Sequence, residues 1–434
     1  MTRAVINLWG RQIGAVLWDE GRNIGVFEYT PEFVRSGIEV APLSMPLRSG
    51  VYDFPALPFE TFKGLPGMLA DSLPDKFGNA LINRWLAEQG RSADSFDPVE
   101  RLCYTGRRGM GALEFEPATG EPRSQGGPIE LAPLIELANR VLAAREDLTG
   151  VLNGDDDHHA LQEILRVGTS AGGARAKAVL AWNEETGEFH SGQLKAGPGY
   201  TQWLLKFDGV SGNADKELAD PMGYGRLEYA CYLLAKEAGI SMMRSRLHEV
   251  GGRAHFMTQR FDRTEDGRKL HMQSLCAMRH FDFNLARAYS YEQAIETIRI
   301  LGLGRDALKE QVRRTIFNIF IRNQDDHTKN IAFLMDREGR WSLSPAFDIT
   351  YAYNPDGAWT SEHQMSLGGK TDKFEIQDLF GFGRFADLKA AETKSIIAEI
   401  KSAIGKWDQF AQMSEIPRKM AEKVSSGFRN LEIK

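Results

Sequence analysis

Cysteine is scarce. The 434 residues hold three, Cys103, Cys231 and Cys276, far apart and odd in number. That excludes a disulfide framework and points to a reducing compartment. None of the three stands at a metal-ligand spacing. Long apolar runs are missing too, so no membrane span is expected. The opening Met1-Thr-Arg-Ala-Val-Ile-Asn-Leu-Trp9 is too short and too polar for a secretory signal. A cytoplasmic, membrane-free protein is the expectation. Positive charge is not in excess either: 53 Lys and Arg against 59 Asp and Glu leave a formal charge of −6. This argues against broad, non-specific binding of nucleic acid by the chain alone. No repeat of solenoid period occurs. The Gly-rich stretch 167–177 matches neither G-x-x-x-x-G-K-[ST] nor G-x-G-x-x-G.

What remains is an ordinary globular composition, 42% hydrophobic and 26% charged, on a chain long enough for one to three domains. Residues 1–125 read as a first unit. Short β-rich runs near 5–9, 13–18 and 24–29 suggest an antiparallel meander. Helices follow near 76–89, stopped by Gly90, and from Pro98, capped by Asp97. A strand near 112–116 and a Pro/Gly-rich linker at 117–127 close the unit. Residues 126–262 form a second unit: a helix near 129–145, the Gly-rich stretch, strands near 178–182 and 200–207, a helix near 224–238 and a hairpin over 246–261. Asp155-Asp-Asp-His-His159 reads as the acidic start of a short helix, since consecutive residues do not wrap an ion. From 263 to 434 the chain is mainly helical, with segments near 291–301, 306–322, 388–404, 407–414 and 417–428. Residues 352–385, rich in glycine, read as loop.

The most informative stretch is Ile321-Arg-Asn-Gln-Asp-Asp-His-Thr-Lys-Asn330, a polar loop between an apolar helix and the apolar run 331–335. Loops held between core elements carry chemistry more often than structure. Asp325 and Asn330 stand at the D-x-x-x-x-N interval of a kinase catalytic loop, where Asp takes the proton of the acceptor hydroxyl and Asn holds magnesium. A hairpin over 331–343 folds Asp348 back beside Asn330 as a second magnesium ligand. Upstream, Gly172, Gly173 and Ala174 lie in a stretch whose backbone N–H groups can cradle phosphates. Lys206 sits in an apolar strand and needs an anionic partner. Glu228, on the following helix, supplies it in the manner that aims a kinase lysine at ATP. Gln259 and Phe261 end the hairpin at a hinge suited to an adenine ring; Phe261 is equally suited to core. Within the loop, His327 reads as a structural hydrogen-bonder and Lys329 as a γ-phosphate contact. Singly, each of these has an ordinary explanation in turns, caps and snorkelling side chains. Their order is what carries weight: Gly-rich loop, Lys, Glu, hinge, D-x-x-x-x-N, Asp.

Arg322-Asn-Gln-Asp-Asp-His-Thr-Lys-Asn330, Ser170-Ala-Gly-Gly-Ala-Arg-Ala-Lys177 and Leu69-Ala-Asp-Ser-Leu-Pro-Asp75 together resemble the HipA family, serine/threonine kinase toxins of type II toxin–antitoxin systems. The resemblance spans nearly the whole chain. It implies an α+β, bilobal, protein-kinase-like fold with a β-rich N-terminal subdomain. It implies an all-helical C-terminal lobe. It implies ATP and Mg2+ as cofactors, Asp325 as catalytic base, Asn330 and Asp348 as metal ligands, Lys206 as the ATP-anchoring lysine and Ser170 as an autophosphorylation site. The implied partners are a HipB-type helix-turn-helix antitoxin, operator DNA through that antitoxin, and an aminoacyl-tRNA synthetase substrate, glutamyl-tRNA synthetase above all. Gln259 stands where a better-known form has an acidic hinge residue, and Arg175 and Ala176 also depart from that form. Two other readings stay open: a kinase-like scaffold that mainly holds a DNA-bound antitoxin, and a small-molecule kinase.

Overall fold

The computed structural model describes residues 2–119, 128–143, 164, 176–192, 197–208 and 223–432. Ser170, Gly172, Gly173, Ala174 and the 155–159 run lie outside the described residues.

Alternation of buried and half-exposed positions makes the first sheet. Its strands are β1 (Arg3–Leu8), β2 (Arg11–Asp19), β3 (Ile24–Tyr29), β4 (Val51–Tyr52) and β5 (Leu113–Glu116), in the order β4-β3-β2-β1-β5. The pairings are antiparallel throughout. A second five-stranded antiparallel sheet holds β6 (Lys177–Asn183), β7 (Phe189–Ser191), β8 (Tyr200–Lys206), β9 (Ser245–Val250) and β10 (Arg253–Gln259), ordered β7-β6-β8-β10-β9. Lys177 and Lys206 are register partners across β6 and β8. A third sheet joins β11 (His271–Ser274) to the hairpin of β13 (Ala332–Met335) and β14 (Trp341–Leu343). A short parallel pair, β12 (Tyr289–Ser290) and β15 (Met365–Ser366), completes the strands. The C-terminal lobe is therefore not all-helical: besides the expected hairpin it carries β11, β12 and β15, short strands with no periodicity of their own to announce them.

The main helices are α1 (Gly67–Ala70), α2 (Lys76–Glu88), α3 (Pro98–Thr105), α4 (Leu131–Ala143), α5 (Tyr224–Glu237), α6 (Leu275–Arg279), α7 (Tyr291–Ile300), α8 (Gly304–Ile321), α9 (Ile376–Phe385), α10 (Ala390–Ile404), α11 (Trp407–Met413) and α12 (Arg418–Gly427). Asp97 and Glu100 form the capping box that starts α3, with Pro98 at its first position. Helix α9 corrects the loop expected over 352–385. Its Gly383 is not a breaker but a contact: a Cβ there would stand 2.1 Å from Thr393 Oγ1 on α10, so the two helices approach through it.

Three cores hold the chain. One is built on the first sheet around Phe27, Phe62 and Phe115. Another joins Phe77, Leu81 and Leu86 of α2 to Leu180, Trp203 and Leu205 of the second sheet. The largest gathers α5 with the C-terminal helices around Tyr291, Phe317 and Phe320. Helix α5 belongs to this last core yet also lies against the second sheet. At Gly225 a Cβ would stand 2.2 Å from the carbonyl oxygen of Ala254 on β10. That close approach lays α5 against β10, next to the central strand β8 whose end carries Lys206.

Candidate active site

Lys206 ends β8, and its ammonium meets the carboxylates of Glu228, at 2.5 Å, and Asp348. Asp208, two residues on, sets the geometry. Its carboxylate accepts from the backbone N–H of Gly223 (3.0 Å) and Gly225 (2.8 Å) and so caps the start of α5. Glu228, on the second turn of that helix, therefore faces back toward the strand. Burial favours the neutral amine of Lys206, but Asp348 and Glu228 outweigh it and raise its pKa above the ordinary value.

Asp348 reaches this lysine by a different route. The segment before it is anchored by the Ala346 N–H on Ser241 O, at 2.8 Å. The segment after it pairs with the start of the loop that leaves α8, through Gln324 N–H to Ala352 O and Ala352 N–H to Arg322 O, both 3.1 Å. Asp348 itself has φ +53°, a left-handed conformation that a non-glycine residue adopts at a cost and that clusters at functional sites. Burial would raise its carboxyl, yet Lys206 and Lys177 bring it down to about 2.

Asp325 and Asn330 lie on the loop that leaves α8. Asn330 Nδ2 donates to the carbonyl of Asp325 at 2.8 Å, within a 3-10 turn over Thr328–Asn330. The Asp325 side chain is half-exposed, and its Oδ1 accepts from the indole N–H of Trp359 at 2.7 Å. Partial desolvation raises its pKa; the neighbouring His327 and the Trp359 bond oppose the rise, and Asp348 and Asp326 add to it. His327 is not the hydrogen-bonder expected. Its Nε2 stands 3.9 Å from Asp325 Oδ1, and its buried Nδ1 has no hydrogen-bond partner. Lys329 places its ammonium 4.5 Å from the Phe283 ring centroid and acts electrostatically on Asp71 and Asp75.

Asp326, adjacent to Asp325, is buried where Asp325 is open. It accepts from Tyr291 Oη at 2.5 Å, His363 Nδ1 at 2.6 Å and the Gln364 N–H at 2.7 Å. His363 Nε2 in turn faces Arg429 at 2.9 Å. Arg429 also donates to the carbonyls of Ile319 (side chain, 2.7 Å) and Phe320 (backbone, 2.8 Å) at the end of α8. This braces the loop from beneath.

At the hinge, the backbone N–H groups of Gln259 and Arg260 are committed to Arg244 O and Gln202 O. Phe261 packs on Phe347, 5.2 Å between centroids, just before Asp348. Behind it Asp262 is fully buried. It binds Arg260 through two bonds of 2.9 and 2.7 Å, Arg263 at 2.8 Å and the N–H of Gly111 at 2.6 Å. The last contact ties the hinge to the first unit. Burial would raise the Asp262 pKa, but Arg260 and Arg263 hold it far below the ordinary range.

Asp71 and Asp75, from the Leu69–Asp75 motif, also come to this region. Asp71 accepts from the N–H and Oγ of Ser274, at 2.6 and 2.9 Å, at the start of α6. Asp75 caps α2 through Gly78 N–H at 2.6 Å and points Oδ2 toward Lys177 Nζ, 3.4 Å away, with both side chains buried. Burial lifts its carboxyl to about 6 against the pull of Lys177. The structure thus brings Lys206, Glu228 and Asp348 into contact, and Asn330 onto the backbone of Asp325. The sequence reading missed Trp359, Asp326 and Asp262. The side-chain partners of Trp359 and Asp326, and the Gly111 N–H that meets Asp262, lie between 34 and 151 positions away, and no local pattern marks them. Among the described residues no helix is long and apolar enough to cross a membrane.

Residues 4–116 match the family model of the HipA N-terminal domain, and residues 169–407 that of the HipA-like C-terminal domain. Among solved structures, the chain is similar to HipA of Shewanella oneidensis MR-1, determined with HipB and operator DNA of that toxin–antitoxin system. The TM-score is 0.66 at 17% identity, over 98% of this chain and 94% of that one. The proinflammatory kinase CtkA of Helicobacter pylori matches 52% of this chain and 92% of its own, with a TM-score of 0.32 at 10% identity. The fold is the bilobal, kinase-like α+β fold with an added β-rich subdomain, and with both of the family's domains present in order the chain belongs to the HipA family.

Proposed function

We propose that the chain is an ATP- and magnesium-dependent serine/threonine protein kinase, the toxin of a type II toxin–antitoxin module. The observation that carries this reading is the junction of Lys206 with both Glu228 and Asp348, beside the loop of Asp325 and Asn330. Lys206 is held charged and aimed as a phosphate anchor requires. Asn330 commits its amide N–H to the loop, which leaves its oxygen for a cation. Asp348 is ionised and partly open to solvent. Among the described residues no group of three or more His, Cys, Asp or Glu able to hold a metal occurs. Magnesium bound by one carboxylate, one amide oxygen and the substrate's own phosphates needs none. When bound there, Mg2+ neutralises charge on the phosphates. Asp325 accepts the proton of the acceptor hydroxyl as that oxygen bonds to the γ-phosphorus. The bond from phosphorus to the bridging oxygen breaks, and ADP leaves. Gln259 and Phe261 border the base.

The finer assignments rest on family membership and the motif. Ser170, beside Gly172, Gly173 and Ala174, is the autophosphorylation site. A phosphate there repels the phosphates of ATP. The acceptor protein is an aminoacyl-tRNA synthetase such as glutamyl-tRNA synthetase, and the partner a HipB-type antitoxin that brings operator DNA. The Shewanella complex of HipA, HipB and DNA supports the latter. The test is transfer from labelled ATP. Wild type labels Ser170 and a protein in cell extract when Mg2+ is present, and Asp325→Asn loses this by about 10²-fold or more. Nucleotide binding without transfer in the wild type overturns the kinase reading and leaves a scaffold for the antitoxin.

A further inference from the structure

Trp359 stands in the loop after Asp348, in a stretch with no motif. Its indole N–H donates to Asp325 Oδ1 at 2.7 Å. Its backbone carbonyl accepts from Gln364 Nε2, and the backbone N–H of Gln364 donates to Asp326 Oδ1 at 2.7 Å. Asp326 adjoins Asp325, so the bonds close a ring: Asp325, Trp359, Gln364, Asp326 and back along the peptide. Three further donors or tethers fix the ring's buried corner, Tyr291, His363 and, through His363, Arg429. Trp359 is therefore not a passing contact of a floppy loop. Its carbonyl is held by Gln364, which is itself tied to Asp326, the neighbour of the aspartate that its indole reaches.

We infer that Trp359 is the positioning residue for Asp325: it occupies Oδ1 and so presents Oδ2 to the acceptor hydroxyl. This rests on the kinase reading above. An indole N–H donates only, so it can pair with this carboxylate only as the donor. The bond sets the rotation of the carboxylate, whose terminal torsion is otherwise broad.

The experiment uses the full chain and the Trp359→Phe variant, which keeps an aromatic ring and removes the donor. Affinity for Mg-ATP is measured by calorimetry, and phosphate transfer is followed for its maximal rate and its KM for ATP. Expected are an ATP affinity and KM within about 2-fold of wild type and a maximal transfer rate lower by roughly 10- to 100-fold. A variant whose maximal rate equals that of wild type overturns the positioning role alone. So does one that loses ATP affinity and rate together, the mark of a general structural loss. A wild type that transfers no phosphate overturns the kinase reading and this role with it.

Discussion

Two buried carboxylates help to join the first 125 residues to the rest of the chain, and they are held differently. At the hinge, Asp262 meets two arginines and a backbone N–H from the first unit, and both its oxygens are bonded. Behind Lys206, Asp75 faces Lys177 at 3.4 Å, and among the described residues the oxygen turned toward it has only this long contact. Burial opposes charge at both. Where donors saturate the carboxylate the charge wins, and Asp262 lies far below the ordinary range; where they do not, burial wins, and Asp75 rises to about 6. Depth alone thus decides little. The count and aim of donors decide whether a buried acid is a rivet or a group near its own titration.

The comparison can be broken first at the rivet. Asp262→Asn strands two buried guanidinium groups and should lower stability by ~3–5 kcal/mol, read from chemical denaturation; a loss below ~1 kcal/mol refutes the distinction. Next, Lys206→Met should cost ~1–3 kcal/mol, less because water reaches Asp348 in the cleft. The same variant should lower phosphate transfer by roughly 10²-fold or more. If stability drops as far as in Asp262→Asn, then the cleft pairs are structural as well.

The pH dependence sharpens the contrast further. Folded Asp75 keeps its proton to about 6, whereas the unfolded chain releases it near 3.8. The folded state then binds more protons between these values, so stability falls as pH rises from about 4 to about 6. Asp348, at about 2 when folded, has the opposite sign. Its contribution is complete above about 4 and is lost as pH falls toward 2. Denaturation midpoints measured across this range should lose the first slope in Asp75→Asn and the second in Asp348→Asn. The smallest effect is that of Asp75→Asn at pH 7, no more than ~1 kcal/mol, because Asn caps α2 as well as Asp does.

Much of this was legible before any coordinates. The meander, the capped helix at Pro98 and the 331–343 hairpin follow from periodicity, a capping box and a Gly turn. Lys206, Glu228 and Asp348 were legible by order along the chain, although 142 positions separate the lysine from the last. What escaped was set by distant packing. Helix α9 was hidden because its glycines read as breakers, whereas Gly383 serves a close approach to Thr393. His327 looked like a hydrogen-bonder by type, yet only the fold decides where its nitrogens point. Asp262 binds Gly111 from 151 positions away, and nothing near either residue announces the other.

Arg429 bears on when the protein becomes what it is. Its bonds to the end of α8 and to His363 complete the brace under Asp326. A ribosome makes Asp326 and His363 well before it reaches this arginine. The nascent chain therefore carries the buried aspartate early and completes its brace only later.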